Sequence, residues 1–208
     1  MTKYTVAVAG ATGYAGGEAL RILAAHPAFE VTAVAGHSSI GHRLGEYQPH
    51  IPQLADLIVE DTTPAVLDGH DVIVLALPHG ASGALAAHIL DDGLVELVAG
   101  HLDGGLAAQL DDDAVVVDLG ADHRLERQQA WDDYYGGDFY QHWTYGMPEL
   151  ILGIGSDGKY VRQRDELTGA KRIAGPGCNV TATTLALQPA IAQGLVDTKS
   201  IVADLAVG

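Results

Sequence analysis

Along the first 120 residues the spacing of apolar and polar positions changes repeatedly. Tyr4 to Ala9, Glu30 to Ala35, Asp71 to Leu77 and Ala114 to Leu119 are short, rich in β-branched residues and nearly continuous in apolar character, as strands buried on both faces are. Between them, Ala15 to His26 and Ala81 to Leu90 carry apolar residues at helical spacing and end near Pro or Gly. Leu57 to Glu60 and Val95 to Ala99 are weaker strand candidates. The alternation predicts βαβ units on a parallel sheet: an α/β, doubly wound fold.

Further on the pattern loosens. Residues 131–145 (WDDYYGGDFYQHWTY) hold both tryptophans and suggest an aromatic cluster against a neighbouring domain or subunit. Residues 151–161 (ILGIGSDGKYV) read as a Gly-rich hairpin or surface loop, followed by a short helix near Arg164 to Thr168 and a strand at Lys171 to Ala174. A helix beginning at Cys178 and ending near Gly194 comes next, and SIVADLAVG, including Ile201 to Val207, reads as a last strand.

Composition narrows the function classes. With 48% hydrophobic and 18% charged residues the chain can bury a core and is neither fibrous nor disordered. The start, MTKYTVAVAG, lacks the apolar length and cleavage site of a signal peptide, and no segment approaches a membrane span, so the expectation is a cytoplasmic protein without a membrane partner. A lone cysteine excludes an intrachain disulfide framework. The net charge of -16 argues against nucleic acid, whose phosphates are met by clustered Lys and Arg. Ten histidines are present, yet none pairs at short spacing with a third ligand, so no metal is expected.

The most specific local signal is VAVAGATGYAGGEAL. A strand runs into Gly10-x-x-Gly13-x-x-Gly16 and on into a helix, so backbone N–H groups and the positive end of the helix dipole converge where a pyrophosphate can sit. Gly10, Thr12, Gly13, Tyr14, Ala15 and Gly16 are the candidate contacts. The acidic residue that usually binds the ribose of NAD about 20 residues further on is missing: the place reads Gly36-His37-Ser38-Ser39, with Arg43 nearby. Ser38, Ser39 and Arg43 instead suit a 2′-phosphate, which makes NADP the expected cofactor. Pro78 and His79, after the third main strand, fall at the carboxyl edge of the sheet where such a cofactor lies.

Cys178 follows a Gly-Pro-Gly turn at the start of a predicted helix. Free cysteines are among the most buried residue types, so packing is one explanation. A thiol at a helix N-terminus, however, has its thiolate stabilised by the dipole and by unpaired N–H groups, which also suit an oxyanion. Together with a nicotinamide site, such a thiol points to thioester formation and hydride transfer between an acyl group and an aldehyde.

Five segments carry a family resemblance: GATGYAG at 10–16, ALPHGAS at 76–82, VDLGADHRL at 117–125, YGMPEL at 145–150 and IAGPGCNVTA at 173–182. In this order they resemble the N-acetyl-gamma-glutamyl-phosphate reductase family, arginine-biosynthesis relatives of aspartate-semialdehyde dehydrogenase. The chain departs from the family in having Gly175 before Pro176, Asn179-Val180-Thr181-Ala182 after the cysteine, DLGADHRL in place of DLSADFRL, and an apparent insertion at 151–161.

The resemblance implies a Rossmann-like cofactor domain over 1–170 and, from 171 to 208, the start of a second α+β domain for catalysis and assembly. It implies a longer, homo-oligomeric enzyme of which these 208 residues are the N-terminal portion, with the catalytic histidine further downstream. Cys178 would be the nucleophile, Arg124, Glu149 and Asn179 would meet substrate, and an acyl phosphate would be reduced by NADPH with release of phosphate. Arg124 has a competing role as an ion-pair partner of Asp122 or Glu126, and Glu149 as a structural hydrogen-bonding group. Asp111 to Asp113 read as a solvated turn. Two other readings remain: a NADP-binding regulator that needs no reactive thiol, and a related aspartyl- or aminoadipyl-phosphate reductase with different groups around the cysteine.

Overall fold

The computed structural model describes residues 3–78, 80–83, 85 and 114–206. Strands β1 (Tyr4–Ala9), β2 (Phe29–Ala35), β3 (Val72–Leu75), β4 (Val115–Asp118), β5 (Thr144–Tyr145) and β8 (Arg172–Ala174) form one six-stranded sheet in the order β2-β1-β3-β4-β8-β5. Every pairing in it is parallel. The four main strand expectations are met: β1 has the expected bounds, β2 begins one residue earlier, and β3 and β4 are trimmed by one or two residues at their ends. Strand β8 lies inside this sheet, which therefore extends past residue 170.

Both faces of the sheet are covered, and β1 shows how the sequence encodes this. Val6 and Val8 join Leu20, Val34, Leu44, Ile51 and Val59 on one side, while Ala7 and Ala9 join Ile73, Leu75, Leu67 and Val116 on the other. Helix α1 (Tyr14–Ala25) returns the chain from β1 to β2 and seats Leu20 in the first cluster, and the short α2 (Pro64–Leu67) seats Leu67 in the second. Three expectations need correction. Residues 57–60 contribute only isolated bridges, Arg43 with Ile58 and Ala35 with Glu60, because the chain there turns back through 3-10 turns at Leu44–Glu46 and Pro52–Leu54 instead of running along the sheet. Residues 201–206 form no strand and pair with none of the described strands. The Arg124 guanidinium pairs with neither Asp122 nor Glu126 but donates to backbone carbonyls.

After β4 the aromatic segment forms α3 (Gln128–Tyr134), with Trp131 buried and stacked on Tyr135. Strands β6 (Ile151–Ile154) and β7 (Tyr160–Arg162) make the expected antiparallel hairpin, leading into α4 (Gln163–Leu167). The hairpin grips α5 (Cys178–Ala192): Ile151 N–H donates to Gln188 Oε1 at 2.6 Å, and the Tyr160 hydroxyl donates to the Ala192 carbonyl at 3.0 Å. No residue of α5 is buried among the described residues. The expectations for Val95 to Ala99, Asp111 to Asp113 and most of Ala81 to Leu90 lie outside the described residues.

Two carboxyl groups organise the edge after β4. Asp122, almost wholly buried, accepts from Gly80 N–H (2.8 Å), Gly83 N–H (2.7 Å) and the Ser82 hydroxyl (3.0 Å), and so caps the turn that follows Pro78. Asp118, fully buried, accepts from Gly120 N–H at 2.7 Å and from Ser82. Burial pushes the Asp118 carboxyl up to about 6, with the Gly120 N–H pulling it back and the neighbouring Asp122 charge adding to the rise.

Two predictions follow from this architecture. Gly10 has φ 74°, and a Cβ there would run into the Ala76 carbonyl; Gly69 has φ 76° but open space around it. Gly69→Ala is expected to cost about 1 kcal/mol, the strain of a left-handed alanine alone, and Gly10→Ala about 3 kcal/mol or more because β1 and β3 must separate. Equal losses in urea unfolding would show that the close approach is not a constraint. For Asp118 the folded pKa lies above the unfolded one, so its contribution is full below about pH 4 and is lost as pH rises through about 6. Asp118→Asn should therefore gain on the parent by about 2 to 3 kcal/mol between pH 4 and pH 7, read as the difference of two urea titrations; a difference that does not change with pH would contradict the assignment.

Candidate functional site

The carboxyl ends of parallel strands all face one edge of a sheet, and the glycine turn, Ser38 and the cysteine turn follow the ends of β1, β2 and β8 there. Gly10 leaves β1 beside the Ala76 carbonyl that ends β3, and a Cβ on Gly16 would collide with the Gly10 carbonyl. These contacts let the first turn of α1 lie against the strand ends. Gly13, which caps α1, offers no side chain to satisfy the helix N–H groups. The turn is tied by Gly13 N–H to the Gly10 carbonyl at 3.1 Å and by Ala11 N–H to Ala35 at 3.0 Å. The N–H groups of Thr12 and Tyr14 have no partner among the described residues, and Tyr14 and Ala15 are exposed. A backbone cradle with free donors at a helix N-terminus fits a pyrophosphate.

Beyond β2, Ser38 is exposed, whereas Ser39 is buried with its hydroxyl 3.2 Å from that of Thr12. Gly36 makes this possible, since a Cβ there would lie 2.7 Å from the Ser39 hydroxyl. Arg43 is exposed and its guanidinium pairs with Asp56 at 2.7 Å. Pro78 is exposed at the end of β3, and His79 lies outside the described residues. One residue of this site has no signature in the sequence: Gln48, buried, whose side-chain amide donates to the carbonyls of Ala11 and Gly13, both at 3.1 Å. The only available signal is a polar residue among Leu44, Ile51 and Leu54, which by itself reads as surface.

The second half of the site is built around the Gly175-Pro176-Gly177 turn. Gly175 N–H donates to the Asp118 carbonyl at 2.7 Å, locking the turn to the end of β4. Arg124 locks it from the other side, Nε donating to the Gly175 carbonyl at 2.6 Å and Nη2 to the Leu119 carbonyl at 2.7 Å. Its Nη1 lies 3.3 Å from where a Cβ on Gly177 would project. Cys178 is then the first residue of the 15-residue α5, exposed, with its sulfur 3.9 Å from Asn179 Oδ1.

The thiol opens into a cleft of about 960 Å³, lined among others by Arg124, Arg127, His142, Tyr145, Glu166 and Asn179. Burial raises the Tyr145 hydroxyl pKa, and the Arg124 charge partly offsets it. Glu149 is not on that lining; its carboxylate pairs with Arg164 at 3.2 Å and its carbonyl accepts from Gln188 at 2.9 Å. His123, between the two clamping residues, stacks on Trp143 with ring centroids 3.7 Å apart and contacts the Gln141 carbonyl at 2.8 Å through Nδ1, while burial lowers its pKa. The glycine turn and the cysteine turn sit at the ends of β1 and β8, three strand spacings or about 14 Å apart along one edge.

Residues 5–98 match the family model described as semialdehyde dehydrogenase, NAD binding domain. Curated relatives named N-acetyl-gamma-glutamyl-phosphate reductase align along the chain: 90% identical in Bifidobacterium animalis subsp. lactis over the whole chain, 69% in Bifidobacterium longum over the whole chain, and 48% in Leifsonia xyli over 99% of it. The chain spans about half the length of these relatives, 51% in each case. Among solved structures, an aspartate semialdehyde dehydrogenase from Candida albicans, crystallised with NADP, shares the fold at a TM-score of 0.51 and 16% identity, covering 94% of this chain and 48% of that one. Aspartate semialdehyde dehydrogenase II from Vibrio cholerae does so at 0.50 and 15%, covering 92% and 43%. A glycine cradle of the dinucleotide-binding kind, a cysteine-headed helix on the same sheet edge and these alignments agree: residues 5–98 match the semialdehyde dehydrogenase NAD binding domain, and the chain is similar along its whole length to the N-terminal half of N-acetyl-gamma-glutamyl-phosphate reductases.

Proposed function

We propose that this chain supplies the cofactor site and the nucleophile of an enzyme that reduces N-acetyl-gamma-glutamyl phosphate with NADPH to N-acetylglutamate semialdehyde and phosphate. The observation that carries the reading is the shared edge, with Cys178 at the head of α5 and the free N–H groups of the glycine turn on one side of one sheet. The names borne by the similar reductases supply the acyl chain.

The Cys178 thiolate attacks the acyl carbon, a C–S bond forms, the bond from that carbon to the phosphate oxygen breaks, and phosphate leaves. Unpaired N–H groups in the first turn of α5 are placed to hold the oxyanion formed in this step. A bound nicotinamide supplies the hydride that reduces the thioester carbon. Return of the sulfur to thiolate then frees the aldehyde, and the one proton consumed overall ends on phosphate. Arg124 keeps the turn in place through the carbonyls of Gly175 and Leu119 and presents Nη1 toward Gly177, where a substrate carboxylate or phosphoryl oxygen can be met. Asn179 lines the same cleft. At the far end of the edge, the glycine turn takes the pyrophosphate; Ser38, together with Arg43 once released from Asp56, takes the 2′-phosphate, the segment Gly36 to Ser39 that follows β2 carrying no carboxylate.

Two measurements test this. In the full-length enzyme Cys178→Ser is expected to lower kcat by about 10³-fold or more with the fold unchanged, since a hydroxyl in this place has no comparable nucleophilicity; activity within tenfold of the parent would remove the thioester step. Calorimetry is expected to give NADPH an affinity about tenfold or more above that of NADH, on the scale of a hydrogen bond to a charged group, about 1.5 to 3 kcal/mol. Equal or reversed affinities would overturn the NADP assignment and leave the nicotinamide site standing.

A further inference from the structure

The glycine turn has an unusual support. Gln48 comes from the chain that doubles back after β2, just past the 3-10 turn at Leu44–Glu46, and its side chain is buried beneath the turn. Its single amide nitrogen spends both hydrogens on the turn, one on the Ala11 carbonyl and one on the Gly13 carbonyl. Room for it is left by Gly17, where a Cβ would lie 2.5 Å from the Gln48 amide.

A peptide unit is planar and trans, so its N–H points away from its carbonyl. The unit that carries the Ala11 carbonyl carries the Thr12 N–H, and the unit that carries the Gly13 carbonyl carries the Tyr14 N–H. Neither of these two donors has a partner among the described residues. We propose that Gln48 is a positioning residue of the dinucleotide site: by holding two alternate carbonyls on one side of the turn, it aims the Thr12 and Tyr14 N–H groups together at the pyrophosphate on the other. Without it, the Ala11–Thr12 unit loses the bond that holds its carbonyl and the Gly13 carbonyl keeps, among the described residues, only the Gly17 N–H at 2.8 Å, so the turn must be ordered again at each binding event. The inference rests on the reading of the glycine turn as a nicotinamide dinucleotide site.

The test is a titration of NADPH, and separately NADH, into the ¹⁵N-labelled chain and into Gln48→Met, which keeps the length of the side chain and removes both donors. In the parent, the Thr12 and Tyr14 amide protons should move downfield more than the other amides of the turn. In Gln48→Met, affinity should fall at least tenfold and both shifts should shrink together. A Gln48→Met chain that folds and binds within twofold of the parent, with the same two shifts, overturns the role of Gln48 while the cofactor reading stands. If that variant does not fold, the parent alone decides: Thr12 and Tyr14 amides that stay put while nucleotide binds overturn the inference. A parent that binds neither nucleotide overturns the cofactor reading and this inference with it.

Discussion

The structure turns on one close approach of backbone to backbone. Gly10, the first residue past β1, lies against the carbonyl of Ala76 on one side and beneath Gly16 on the other, with no space at either for a methyl group. That contact decides where α1 begins relative to β1 and β3. Since α1 sets the path to β2, and β1 and β3 stand at the centre of the sheet, the orientation of the cofactor cradle and the packing of both cores depend on the same few atoms.

Downstream, the segment Asp118 to Arg124 does for the cysteine what the glycine turn does for the cofactor. It fastens three loops to the end of one strand: Gly80 to Gly83 through Asp122, residues 141–143 through His123, and the Gly175 turn through Arg124 and the Asp118 carbonyl. A buried carboxylate and a guanidinium in neighbouring positions, without pairing with each other, spend their hydrogen-bonding capacity on backbone groups that would otherwise be left unsatisfied. The pocket walls are thereby joined to the sheet.

Sequence reasoning reached what depends on local chemistry. Short, nearly continuous β-branched runs reveal β1 to β4, Gly and Asp reveal the β6–β7 turn, and the glycine spacing and the lone thiol mark both halves of the site, because each of these acts over a few residues. What escaped it acts over long separations. Gln48 meets the glycine turn 35 and 37 residues away, and Arg124 meets Gly175 across 51; neither partner alters the local pattern that the other would need to be noticed. The segment at 57–60 misled for the opposite reason, since its composition suits a strand while its neighbours leave it only bridges. Ser39 has the right residue type for a phosphate contact, yet its burial against Thr12 comes from packing around Gly36 that composition does not reveal.

Helix α5 is tied by hydrogen bonds near its two ends. Its cysteine end is fixed by Arg124 and the Asp118 carbonyl, its far end by the hairpin through Gln188, Ala192 and Gln193, and none of its residues is buried. Fifteen residues make a rod about 22 Å long. Such a rod works as a lever: a tilt of about 3° about one support carries the opposite end through about 1 Å, the scale at which a misplaced group loses about two orders of magnitude in rate. The hairpin at 151–162 therefore holds the trim of Cys178, and changes in its length or twist are changes in where the sulfur points.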